Sequence, residues 1–179
     1  GDADDQFEVA MAYHGGHGVD SSQEKSIQWL KASAEQDQPE AQLKLGQAYA
    51  SGQGVEQDFA LAAHWYQKTA EQGHRQAQFY LGNMYENGDG VPQSYDIALQ
   101  WYKLAADQGK DYAQYNLGVI YERGQGVPQD FKNAINWYTL SAEQGHAQAQ
   151  YNLGVMYVKG QGAPKDLNTA FKFFKLFHR

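Results

Sequence analysis

Cysteine is absent from the 179 residues, so disulfides and cysteine-ligated metals are excluded. That absence fits a reducing or an oxidising compartment equally. Long hydrophobic runs are also missing. No stretch reaches the roughly 18 apolar residues that a membrane-crossing helix needs. Positive charge is in short supply, with 14 Lys and Arg against 21 Asp and Glu, a net charge of −7 and a pI near 5.3. Nucleic acid and anionic membrane both favour a basic surface, so neither is expected as the main partner. No signal peptide is visible, and the opening GDADDQ reads as a processed or cut terminus. What the chain does have is 42% hydrophobic residues, enough for a substantial core.

Those residues recur with a period of 36. The stretch 113–145 reads AQYNLGVIYERGQGVPQDFKNAINWYTLSAEQG, with Ala113, Leu117, Gly118, Tyr121, Gly124, Gly126, Ala134, Trp137, Tyr138, Ala142 and Gly145 as its fixed points. One period earlier stand Ala77, Leu81, Gly82, Tyr85, Gly88, Gly90, Ala98, Trp101, Tyr102, Ala106 and Gly109. The pattern returns from Ala41 to Gly73 and again from Ala149 onward, with no insertion. A fixed period of this length means stacked two-element repeats rather than one compact fold.

Within a repeat, Ala113, Leu117, Ile120 and Tyr121 fall on one face of a helix. Gly118 lies inside that helix, where glycine costs about 1 kcal/mol relative to alanine. Its recurrence as Gly46, Gly82 and Gly154 predicts a neighbouring helix too close to admit a Cβ. Gly124 ends the helix. Asp130 is placed to cap the next one, with Asp58, Ser94 and Asp166 in register. The second helix carries Phe131, Ala134, Ile135, Trp137 and Tyr138, and the periodic tryptophans Trp29, Trp65, Trp101 and Trp137 are read as core. Truncating one is then expected to cost roughly 3–5 kcal/mol.

The order Ala, Leu-Gly, Tyr, Gly-x-Gly-Val, Asp, Ala, Trp-Tyr, Ala, Gly at this period resembles the Sel-1-like repeat family, a branch of the tetratricopeptide-repeat superfamily. The resemblance implies an all-α, right-handed α-solenoid superhelix of helix–turn–helix repeats, forming a single solenoid over residues 1–179. The repeats run over residues 1–37, 38–73, 74–109, 110–145 and 146–179. It implies a protein–protein interaction scaffold or adaptor, not an enzyme. Many bacterial members are exported, which favours a periplasmic or secreted location. Some relatives are linked to β-lactam hydrolysis, but they are cysteine-rich, so this chain's lack of cysteine weakens that link.

Residues 1–37 depart from the pattern, with Asp5 for the alanine, Val9 and Ala10 for Leu-Gly, Leu30 for the tyrosine and Asp37 for the closing glycine. Terminal repeats are often atypical because they cap the stack. The last repeat has Phe173 and Phe174 in place of Trp-Tyr and ends FKFFKLFHR. That apolar helix is expected either to be followed by further solenoid or to dock on a partner or a second copy.

Candidates for chemistry are few. His14 and His17 form an HxxH, but no third metal ligand is evident. His74 and His146 recur between repeats as surface or capping residues, while His64 and His178 are isolated. The Gly-x-Gly loops follow helices and lack a Walker lysine, so they read as turns. Ser94 stands where Asp58, Asp130 and Asp166 do elsewhere, a change that a cap tolerates and an acid catalyst does not. No catalytic residues, metal or cofactor are expected.

A surface remains. In the superfamily the first helices line the concave face. Carried over from the Leu-Gly pair, the resemblance places Phe79, Asn83 and Asn87 there, then Tyr112, Tyr115, Val119 and Arg123, then Tyr151, Val155 and Lys159, with Asn116 and Asn152 beside the stripe. These positions vary between repeats while the packing positions hold. Aromatic rings give contact area at low entropic cost, and asparagine can bond a peptide backbone in both senses. The expected partner is therefore a peptide or protein surface. The competing expectation is that the tyrosines only pack between neighbouring first helices. The invariant Gln42, Gln78, Gln114 and Gln150 are predicted to form a hydrogen-bond ladder between repeats.

Overall fold

The computed structural model describes residues 1–177, where all regular structure is helical. His178, singled out above, lies outside the described residues. The chain divides into two compact units, one over Gly1–Gln93 and the other from Ser94 onward. The first contains α1 (Ala3–Gly15), α2 (Gln23–Ala34), α3 (Pro39–Ser51), α4 (Phe59–Glu71) and α5 (Arg75–Asn87). The second contains α6 (Tyr95–Asp107), α7 (Asp111–Arg123), α8 (Phe131–Glu143), α9 (Ala147–Lys159) and α10 (Leu167–Phe177). Odd-numbered helices are the first of a repeat and even-numbered ones the second.

The helix ends follow the capping signals. Asp58, Ser94 and Asp130 accept hydrogen bonds from the backbone N–H groups of Leu61, Ile97 and Asn133. The Asp166 carboxylate accepts from the Thr169 hydroxyl at 2.6 Å and from the Asn168 and Thr169 N–H groups. These bonds favour its charged form and lower its pKa. His74 and His146 are caps too, each through ring Nδ1, which accepts from Ala77 N and Ala149 N. Asp37 alone among the described non-glycine residues has positive φ, at 62°, where later repeats use glycine.

The glycine inside α3, α7 and α9 has the predicted cause, and a specific one. A Cβ on Gly46 would lie 2.7 Å from the Tyr66 ring, and Gly118 and Gly154 are pressed in the same way by Tyr138 and Phe174. In the first repeat Ala10 replaces the glycine and Leu30 the tyrosine, so one side grows as the other shrinks. The ring seated on the glycine belongs to the tyrosine, and this corrects the reading of the tryptophans as core. Tyr66, Tyr102 and Tyr138 are buried, whereas Trp29 is 39% exposed and Trp65, Trp101 and Trp137 are half-buried. Adjacent helix positions diverge by about 100°, so only one of the pair can point at the glycine, and the neighbouring indole is turned outward.

The glutamine ladder is present. The amides of Gln42, Gln78, Gln114 and Gln150 donate to the carbonyls of Ala34, Ala70, Ala106 and Ala142, at 3.1–3.2 Å. Each carbonyl lies in the last turn of the preceding repeat's second helix, where intrahelical donors run out.

Candidate binding faces on the first helices

In the unit that begins at Ser94, α7 and α9 carry most of the candidate residues. Tyr112 and Tyr151 are 52% and 48% exposed, large values for aromatic rings on ordered helices. Tyr112 meets the His146 ring edge-on at 4.7 Å, and Lys110 Nζ sits 5.1 Å from the centre of the tyrosine ring. Tyr151 lies against Phe174 and Phe177 at 5.8 and 5.5 Å. Tyr115 is placed differently. It is half-buried and stacks on His146 at 4.7 Å, with Tyr138 beyond at 5.7 Å. That is a packing position between α7 and the N-cap of α9.

His146 is buried, though it sits in a connecting turn. Burial lowers its pKa, with the Asp111 carboxylate opposing the shift. The buried Tyr138 hydroxyl donates to Glu122 Oε2 at 2.6 Å. The Asn152 side chain lies on the same hydroxyl's side and opposes the rise in its pKa. Burial, then the Glu122 carboxylate, pushes the phenol well above its ordinary pKa. Asn152 and Asn116 are both half-buried beside the stripe. Val119 and Val155 are half-buried, and Arg123 and Lys159 are exposed at the helix ends.

In the unit over Gly1–Gln93, Phe79 is half-buried and leans on Tyr80 with ring centres 5.7 Å apart. Asn83 is half-buried. Asn87 is exposed and donates to Asp89 Oδ2 at 3.2 Å. Among the described residues no group of three or more His, Cys, Asp or Glu stands together as a metal site, and no helix is long and apolar enough to cross a membrane. Sequence reasoning missed the burial of His146 and the bond from Tyr138 to Glu122. The signal was available in Tyr138 recurring beside a glycine that only a close ring explains.

Ten helices among the described residues, two to each 36-residue period, with glutamine bonds from repeat to repeat, define an α-helical repeat protein. The chain belongs to the Sel1 repeat family, whose model matches residues 3–38, 39–74, 75–110, 111–146 and 147–177. Among solved structures it is similar to c5321, a protective antigen present in uropathogenic Escherichia coli strains displaying an SLR fold. The TM-score is 0.95 with 33% identity, covering 98% of this chain and 38% of that one. It is also similar to a Sel1 repeat protein from Oxalobacter formigenes, with a TM-score of 0.92 and 34% identity over 99% of this chain and 70% of that one. The fold is therefore that of the Sel1 repeat solenoids, and the chain spans 38% of the length of the E. coli antigen. Helicobacter pylori cysteine rich protein B, 22% identical with a TM-score of 0.54 over 69% of this chain and 88% of its own, shares the fold alone. A search of curated proteins returned no match.

Proposed function

We propose that this chain is a protein–protein interaction module, a scaffold or adaptor that holds a peptide or a partner protein's surface against the faces of its first helices. The observation that carries the reading is the pair Tyr112 and Tyr151, rings about half exposed and each steadied by a neighbouring ring. Pre-positioned aromatics of this kind supply contact area with little entropy left to lose. Val155, Arg123 and Lys159 add apolar and cationic contacts in the same unit. Phe79, Asn83 and Asn87 offer a smaller face on α5. The asparagines already bonded within the chain contribute less than the sequence alone implies.

The test is selection of a phage-displayed random peptide library on the wild-type chain, followed by rebinding to a Tyr112→Ala/Tyr151→Ala variant of unchanged helicity. Enriched peptides are expected to lose about tenfold or more in affinity for the variant. Peptides that bind both proteins equally would remove the tyrosine face from the reading. A second reading, self-association, is favoured by α10, where Leu167 is 60% and Phe171 59% exposed. One repeat earlier the position of Phe171 is held by Ile135, buried at 8% in a cluster with Leu153 and Met156 of α9. Sedimentation velocity across a concentration series separates the two, since a monomer at every concentration rules out assembly.

A further inference from the structure

In the unit over Gly1–Gln93, a cavity of about 130 Å³ opens where α1, α2 and α3 meet. Its floor is the buried Ile27, Leu30 and Ala48, and the exposed His14 and Lys44 stand at its rim with Gln47 in the wall. No carboxylate lines it, in a chain that carries 21 of them. Lys44 makes no ion pair among the described residues.

The repeat register explains the hole. Three periods later, Leu30 corresponds to Tyr138, His14 to Glu122, Lys44 to Asn152 and Ala48 to Met156. There the space is filled by the tyrosine ring, whose hydroxyl donates to Glu122, with Asn152 on the facing helix. Here the ring is a leucine, the methionine is an alanine, and no phenol fills the gap. The two polar partners differ in charge as well as in size. An acceptor has become an imidazole and an amide has become an ammonium. A site that holds its own hydroxyl in one unit presents donors and empty space in the other.

We propose that this cavity binds a carboxylate of a peptide ligand, with Lys44 Nζ and the His14 ring as donors and the ligand's methylenes on Leu30 and Ile27. The volume is that of about four waters, room enough for a glutamate-sized group. Apolar floor and cationic rim match the two halves of such a group. The inference rests on the reading that first-helix faces bind peptides. It concerns α1–α3, however, and stands apart from the tyrosine face.

The test is a ¹H–¹⁵N correlation titration of the full chain with N-acetyl-glutamate N-methylamide, whose only carboxylate is on the side chain. The uncharged glutamine analogue is the control, and N-acetylglycine supplies a terminal carboxylate alone. Saturable shifts at the Lys44, Gln47 and Ala48 amides are expected with a carboxylate probe and not with the glutamine analogue. Which probe binds tells whether the carboxylate comes from a side chain or a chain end. Lys44→Gln, an exposed change, is expected to weaken binding about fivefold. Ala10→Gly/Leu30→Tyr, which rebuilds the packing of the later repeats, is expected to abolish it. Absence of saturable shifts with both carboxylates, equal shifts with the glutamine analogue, or unchanged affinity in Lys44→Gln would each overturn the proposal. Because Lys44→Gln leaves the core alone, the result stands even where the rebuilt variant fails to fold. Tyrosine-dependent peptides recovered in the library selection would leave the broader reading intact after such a failure.

Discussion

The first and fourth repeats place the same pair of helices around different contents. At α7 and α8, Gly118 admits Tyr138, which fills the space and ties its hydroxyl to Glu122. At α1 and α2, Ala10 faces Leu30, and a cavity remains beside them. The helices, caps and glutamine ladder survive this exchange. Helix packing here depends on the summed size of two facing residues, not on the identity of either. Polar completion depends on the identity: a leucine can replace the ring's bulk in part, but it has no hydroxyl to offer. The difference therefore converts a structural position into an accessible one without disturbing the repeat.

The strongest test of this comparison is truncation. Tyr138→Ala is expected to destabilise the chain by about 3–5 kcal/mol, because it removes a wholly buried ring and leaves a void. Trp137→Ala, one residue away, removes a half-buried indole and is expected to do less than half of that. Urea unfolding of both variants gives the ranking, and equal losses would return the tryptophan to the core. Leu30→Ala is expected near the low end of the leucine range, about 2 kcal/mol, because its site already borders empty space.

A finer test exchanges one repeat's pair for the other's. Gly118→Ala alone drives a Cβ into the Tyr138 ring, and overpacking of this kind costs about 1–3 kcal/mol. With Tyr138→Leu added, the fourth repeat takes the composition of the first, and the alanine should become neutral or favourable. The double-mutant cycle is expected to show coupling of at least about 1 kcal/mol. Additive losses would mean that glycine and ring do not share one space.

Much of this architecture was legible before any coordinates. The period identified the repeats, Asp58, Ser94 and Asp130 announced the helix starts, and the recurring glycine announced a close approach. These are local or strictly periodic signals. The exchange of Trp137 for Tyr138 as the core ring was not legible, because neighbouring positions share the same period and only the direction of each side chain separates them. The stack of Tyr115 on His146 depends on the gap between α7 and α9, which no spacing along the chain encodes. The cavity lay between these cases. Leu30 is visibly irregular in the sequence, but its meaning required His14 and Lys44 to be aligned with Glu122 and Asn152, pairs that become neighbours only across helices.

The smallest expected effect bears on how tightly the later repeats are closed. His146 is buried, caps α9 through Nδ1, and stacks under Tyr115. Its pKa in the folded chain is lowered from 6.5, by burial first, with Asp111 acting in the opposite direction. A histidine depressed in this way adds stability that is fully present above the unfolded value of about 6.5 and is lost as pH falls toward the folded value. The charged ring would also have no lone pair on Nδ1 to accept from Ala149. Gln38 caps α3 with a side-chain amide oxygen at 2.5 Å from Ala41 N, so His146→Gln keeps a working cap while removing the titration. Unfolding free energies measured above and below about pH 6.5 are expected to differ less for His146→Gln than for the wild-type chain. Coincident slopes would mean that the imidazole is as hydrated as an exposed one. The junction of the fourth and fifth repeats would then be open to water, as the junction of the first and second is, and the contrast between a sealed and an unsealed repeat would fail at its sealed end.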